Sequence, residues 1–170
     1  MLDLAGDEGA GIEGPGYWGF CYRSAQELVE ALKNTSGENL YYHRFWDRCV
    51  EYPLYMSRPD KSGLMNFSDT GYHGLGPSYF FYAVASAKNN GLAQWFGDCI
   101  LKRSSPSIWD LIYYNPDVSP TPPDKMPTDK FFKSIHLASF RSSWEEDAVF
   151  FVLKGGSNAW SHCHLDLNSF

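Results

Sequence analysis

The feature that most constrains the fold is a change of hydrophobic period across one proline-rich stretch. Five prolines fall within "NPDVSPTPPDKMPTDK", which has no periodicity of its own. Proline lacks a backbone donor and fixes φ, so neither a helix interior nor a central strand runs through such a segment. Before it, apolar residues recur at helical spacing. "EGPGYWGFCYRSAQELVEALKNTSG" puts Trp18, Cys21, Tyr22, Ala25, Leu28, Val29 and Leu32 on one face, with Pro15 suited to the first turn and "NTSG" to the end. A second helical pattern runs from Asn39 to Met56, with Pro53 expected to kink or end it. "GPSYFFYAVASAKNNG" and "LAQWFGDCILKR" read as an antiparallel helix pair, and "SIWDLIYYNP" as a shorter helix closed by Pro116. After the prolines, "HLASFRSSW" and "AVFFVLKGG" are rich in aromatic and β-branched residues and flanked by turn chemistry, which predicts antiparallel strands. "HCHLDLNSF" alternates with period two, so a strand there would put His162, His164, Asp166 and Asn168 on one face. Helices followed by strands without βαβ alternation predict an α+β fold. The expected parts are a helical portion over 1–116, a linker over 117–128 and the start of an antiparallel β-domain over 129–170.

Composition narrows the partners. With 170 residues, 44% of them hydrophobic, the chain can bury one substantial core. A net charge of -6 and the lack of any basic run argue against nucleic acid, whose phosphates require concentrated Lys and Arg. No apolar stretch approaches the roughly 20 residues of a membrane span. The four cysteines show no CxxC spacing and sit in apolar patterns, as buried thiols do.

Two stretches carry chemistry. In "SHCHLDLNSF" the spacing of His162 and His164 lets two imidazoles ligate one metal or line one cleft, or form a structural pair under a sheet. The H-x-H-x-D-H motif of metallo-β-lactamase-type hydrolases is matched only until Leu167, where its last histidine is required. In "DEGAGIEGPGYWGFCY", three acids, Asp7, Glu8 and Glu13, precede a helix whose first turn carries Tyr17 and Trp18. At that end the helix dipole favours an anion, as a tyrosine base requires, while helical aromatics are also ordinary core residues.

Taken together, "DEGAGIEGPGYWGF", "EYPLYMSRPDKSGLMNFSD" and "LASFRSSWEEDAVFFVLKGGSNAWSHCHLDLNSF" resemble, in order and spacing, segments of the heparinase II/III-like polysaccharide lyases. The resemblance implies the C-terminal part of an incomplete (α/α) toroid followed by the first strands of an antiparallel β-sandwich. It implies β-elimination at a uronic acid in an anionic polysaccharide, with Tyr17 as base, acid or both and His162 assisting charge neutralisation or proton transfer. His164 matches a structural zinc ligand whose partners are expected beyond Phe170, and the residue that neutralises the substrate carboxylate is expected before Met1. No organic cofactor is implied, and the family's location is periplasmic or extracellular. Asp166 is expected to support the histidines by hydrogen bonding. Glu13, Trp18 and Trp160 are candidates for lining the cleft, because sugars stack on aromatic faces. Arg141 is a candidate partner for a substrate carboxylate or sulfate, or a buried tie between sheet and helices. Two rivals remain: a glycoside hydrolase pairing Asp7 or Glu8 with Glu13, and a non-catalytic carbohydrate-binding relative. The isolated polypeptide is expected to self-associate through open strand edges and an uncovered helical layer.

Overall fold

The structure, a computed structural model, describes residues 2–71, 74–162, 164–165 and 167–170. Asp166 and Cys163 lie outside the described residues, so the supporting role expected of Asp166 is not placed. The fold is α+β. Among the described residues six α-helices come first: α1 (Gly14–Ser36), α2 (Phe45–Arg48), α3 (Glu51–Met56), α4 (Ser78–Lys88), α5 (Gly91–Leu101) and α6 (Ile108–Tyr113). Strands β1 (Asp129–Phe132), β2 (Leu137–Arg141) and β3 (Phe150–Lys154) then form an antiparallel sheet in the order β1-β2-β3, with Lys130 opposite Ser139 and Ser139 opposite Val152. No helix among the described residues is long and apolar enough to cross a membrane.

Local chemistry explains where the helices start and stop. Helix α1 has Pro15 in its first turn, where no N–H is needed, and ends at Gly37 in left-handed backbone with φ 77°. Its buried stripe is Trp18, Tyr22, Ala25 and Val29, while Leu28 of the expected face is exposed. The Asn39–Met56 pattern is not one helix. It is a 3-10 turn over Leu40–Tyr42 followed by α2 and α3, with Cys49 and Val50 at the break. Pro53 does not end a helix; it stands in the first turn of α3, whose N–H groups lack intrahelical acceptors anyway. Between α4 and α5, Asn89 is left-handed with φ 50° and the Asn90 side chain accepts from Ala93 N.

Helix α6 is anchored by Asp110, which accepts from Ser107 N and Ser107 Oγ at 2.7 Å each and from Ser78 Oγ at 2.5 Å. Burial pushes this carboxyl up, but the hydrogen bonds outweigh it and hold it below its usual value. Because the folded value lies below the unfolded one, the stabilisation is complete above about pH 4 and lost as pH falls through the folded value. Asp110→Asn is therefore expected to cost about 1–2 kcal/mol at neutral pH in urea denaturation. On acidification the gap between variant and parent should close.

One face of the sheet packs on the helices through Phe132, Leu137, Ser139, Arg141 and Val152, all buried. The contact is chemically specific. The sheet supplies donors to the carbonyls at the end of helix α3: Ser139 Oγ donates to Tyr55 O at 2.8 Å, and Arg141 Nη2 reaches the carbonyls of Leu54, Tyr55 and Ser57 at 3.2–3.3 Å. The Arg141 guanidinium also lies over Trp144, 4.2 Å from the ring centroid, and over Phe150 at 5.0 Å. Burial pushes it down to about 10. Of the two readings of Arg141, the tie between sheet and helices is the one this geometry matches. At 6% exposure the side chain presents no surface to a substrate carboxylate or sulfate.

The period-two reading of "HCHLDLNSF" is corrected. The described residues after β3 form turns, and His162 and Asn168 have φ of 57° and 60°, outside extended backbone. The segment returns to the sheet at its end, where Lys154 N donates to Ser169 O and Asn168 N to Lys154 O. Cys49 is fully buried, and desolvation pushes its thiol up, whereas Cys21 and Cys99 are half-buried.

Candidate functional site

The N-terminus of α1, a turn over Ser68–Thr70 and the segment after β3 converge on one carboxylate. The turn is held against α1 by Gly16 N donating to Thr70 Oγ1 at 3.3 Å, while Thr70 Oγ1 donates to Phe67 O at 2.7 Å. Only glycine allows this approach. A Cβ on Gly14, where φ is 87°, would stand 2.9 Å from Ser68 Cβ, and one on Gly16 would stand 2.8 Å from Thr70 Cα. The Gly-Pro-Gly of the sequence therefore brings the Asp69 turn beneath Tyr17.

Asp69 is the centre of the cluster. His162 Nδ1 lies 2.7 Å from Asp69 Oδ2, and His164 Nε2 lies 2.6 Å from Asp69 Oδ1, each at hydrogen-bond distance. The bonds from His162 and then His164 hold the Asp69 carboxyl below the usual range. On its open face, the His162 ring stacks on Tyr17, with centroids 3.8 Å apart and planes at 23°. Two hollows meet at Asp69. One of about 420 Å³ is lined by Gly16, Tyr17, Phe20, Asp69 and Thr70; the other, of about 640 Å³, runs past Asn66, Lys154, His164 and Phe170. A phenol, an imidazole and a carboxylate in contact at the edge of a groove can accept, hold and return a proton.

The remaining candidates are distributed differently. Glu13, just before α1, lines a smaller hollow of about 220 Å³ on the Trp18 and Cys21 side of Tyr17. Trp18 is corrected to a core residue: it is 4% exposed, its Nε1 donates to Gly9 O at 2.7 Å, and its ring packs among Tyr22, Tyr52 and Phe80. No face is left for a sugar. Trp160 folds back on its own turn, with ring atoms 2.8 Å from where a Cβ of Gly156 would be. Glu8 accepts from Ser134 N and Oγ at 3.0 Å, and Asp7 pairs with Arg44. Both acids are thus committed to partners other than Glu13.

Asp69 had no role in the sequence reading, although "NFSDTG" offers a signal in an acid inside turn-forming residues. Strand β1 was also unread, since "DKFF" is too short to show alternation.

An imidazole nitrogen and a carboxylate oxygen on one zinc ion stand about 3.3 Å apart, given bonds of about 2.0–2.2 Å and tetrahedral angles. The His164–Asp69 pair at 2.6 Å is a hydrogen bond instead, and no group of three His, Cys, Asp or Glu among the described residues is arranged to hold an ion. The partners that the resemblance implies for His164 are expected beyond Phe170, outside the described residues.

Fold and site thus define an α+β protein with a Tyr–His–Asp cluster on a groove between helices and sheet. No protein-family model matches the chain, and no curated protein matches it either.

Proposed function

We propose that the protein is a polysaccharide lyase similar to the heparinase II/III-like enzymes, cleaving a uronic-acid-containing anionic polysaccharide by β-elimination. One observation carries the reading: Tyr17 and His162, assigned by two separate motifs far apart in the chain, are in ring contact at 3.8 Å. Elimination breaks the C5–H bond, forms the C4=C5 double bond with that electron pair, and expels the O4 leaving group, which must gain a proton. The phenolic oxygen of Tyr17 removes the C5 proton and returns one to O4, the two transfers a single amphoteric group can serve. His162, stacked on Tyr17, assists the proton transfer, and the charge on the C6 carboxylate must be offset before C5 becomes acidic enough to react. A cleft containing Asp69 tolerates an anionic polymer because two imidazoles cover that carboxylate.

The helices are read as the end of an (α/α) toroid, supported by the antiparallel α4–α5 pair. The sheet is read as the start of a β-sandwich, supported by its outward face, where Phe131, Phe140, Phe151 and Leu153 are exposed. A periplasmic or extracellular location follows from the same resemblance. The polypeptide on its own is expected to self-associate through that apolar face and the exposed side of α6 (Ile108, Leu111, Ile112). Sedimentation velocity tests this: concentration-dependent oligomers are expected, and a monodisperse monomer would contradict it.

The function is tested by incubating the full-length protein with a panel of uronate polysaccharides and inspecting the new chain ends. An ultraviolet-absorbing unsaturated uronate supports elimination. Reducing ends without it would transfer the case to hydrolysis, for which the commitments of Asp7 and Glu8 offer no converging acid pair.

A further inference from the structure

We infer that Asp69 is a positioning residue that fixes both the tautomer and the orientation of His162, leaving Nε2 as the unprotonated ring nitrogen turned away from that carboxylate. The catalytic consequence rests on the proposed lyase reading; the geometric claim does not. An ionised carboxylate only accepts hydrogen bonds, so each ring nitrogen facing Asp69 must carry a proton. For His162 that nitrogen is Nδ1, at 2.7 Å. A neutral imidazole has one N–H, so its lone pair is then on Nε2. For His164 the bonded nitrogen is Nε2, at 2.6 Å, and the two rings present opposite nitrogens away from the same carboxylate.

The His162 ring is constrained in two directions. Tyr17 fixes its plane by stacking, and Asp69 fixes its rotation within that plane. The backbone is strained on both sides of the contact. Ser68, beside Asp69, has φ 52°, and His162 itself has φ 57°. Left-handed backbone disfavours such residues and persists where surrounding contacts over-determine it. Stability alone does not account for the arrangement, because the Asp69 side chain is 40% exposed and exposed polar pairs contribute little to folding. A carboxylate placed behind a histidine and gripping both neighbouring imidazoles instead sets which nitrogen is available, which is what a proton-handling histidine requires.

Nitrogen-15 NMR of the histidine-labelled full chain tests this, at a pH where the imidazoles are neutral and with His162 assigned by its loss in His162→Gln. The parent protein is expected to show His162 protonated at Nδ1 and unprotonated at Nε2. In Asp69→Asn, whose amide both donates and accepts, that preference should collapse, while His164→Gln should leave it in place. In the full-length enzyme, Asp69→Asn should lower kcat by about 10–100-fold with KM changed less than about threefold. A His162 protonated on Nε2 in the parent, or a tautomer unaltered by Asp69→Asn, overturns the inference. The parent spectrum decides the geometric claim even if a variant fails to fold. If the tautomer is as expected but no unsaturated product forms from any uronate, the positioning claim stands and the lyase reading fails.

Discussion

Replacing Tyr17 with Phe is expected to lower the rate of uronate elimination by about 10²–10⁴-fold, the range for removing a general acid–base group. The substitution deletes one oxygen and keeps the ring that stacks on His162, so the helix terminus, the Asp69 turn and the imidazole contact remain. Circular dichroism and the unfolding midpoint should match the parent, which separates lost chemistry from lost structure. His162→Ala is expected to cost a comparable factor for a different reason, since it removes the imidazole stacked on Tyr17 and leaves Asp69 bonded to His164 alone among the described residues. If the two act as one unit, the double variant should be little worse than the poorer single one. Turnover surviving in both single variants would assign the chemistry elsewhere.

The largest expected effect on stability is at Arg141. Arg141→Ala removes the donors to the Leu54, Tyr55 and Ser57 carbonyls and leaves those buried acceptors without that partner. It also opens a void beside Trp144 and Phe150. Leu54 O keeps Ser57 N and Oγ and Tyr55 O keeps Ser139 Oγ, so the lost guanidinium contacts and the cavity together predict a loss of about 2–4 kcal/mol in denaturant unfolding. Arg141→Lys should recover only part of this, because an ammonium cannot spread across the Trp144 ring while reaching three carbonyls. A loss under about 1 kcal/mol would mean that the sheet is held to α3 mainly by Phe132, Leu137 and Val152.

Where local chemistry decides the outcome, the sequence was readable. Helix α1 was legible because Pro15, the apolar stripe and Gly37 agree with one another, and the α4–α5 turn because Asn89 and Asn90 suit a left-handed residue and an N-cap. The segment after β3 was misread because its polar–apolar alternation has the period of a strand. Its backbone instead follows a tertiary demand, which turns His162 back toward Asp69 through left-handed φ. Pro53 was misread for a related reason: its cost depends on whether it falls inside a helix or in a first turn, and where α3 begins was not legible in the apolar pattern. In the site, Tyr17 and His162 carried chemical signatures of their own. Asp69 did not, since an aspartate in a turn is ordinary until the fold brings two histidines to it. For Trp18 and Arg141 chemical type left both a cleft and a buried role open, because burial decides what such side chains contact and is a property of the assembled core.

In the proposed lyase, Tyr17, His162 and Asp69 form one site for β-elimination. The most direct test counts chain ends in the full-length protein acting on a uronate polysaccharide, comparing unsaturated uronate with reducing ends over the course of the reaction. One unsaturated end is expected for every new reducing end, with both lost together in Tyr17→Phe. Reducing ends accumulating without unsaturation, or unsaturation undiminished in that variant, would contradict it.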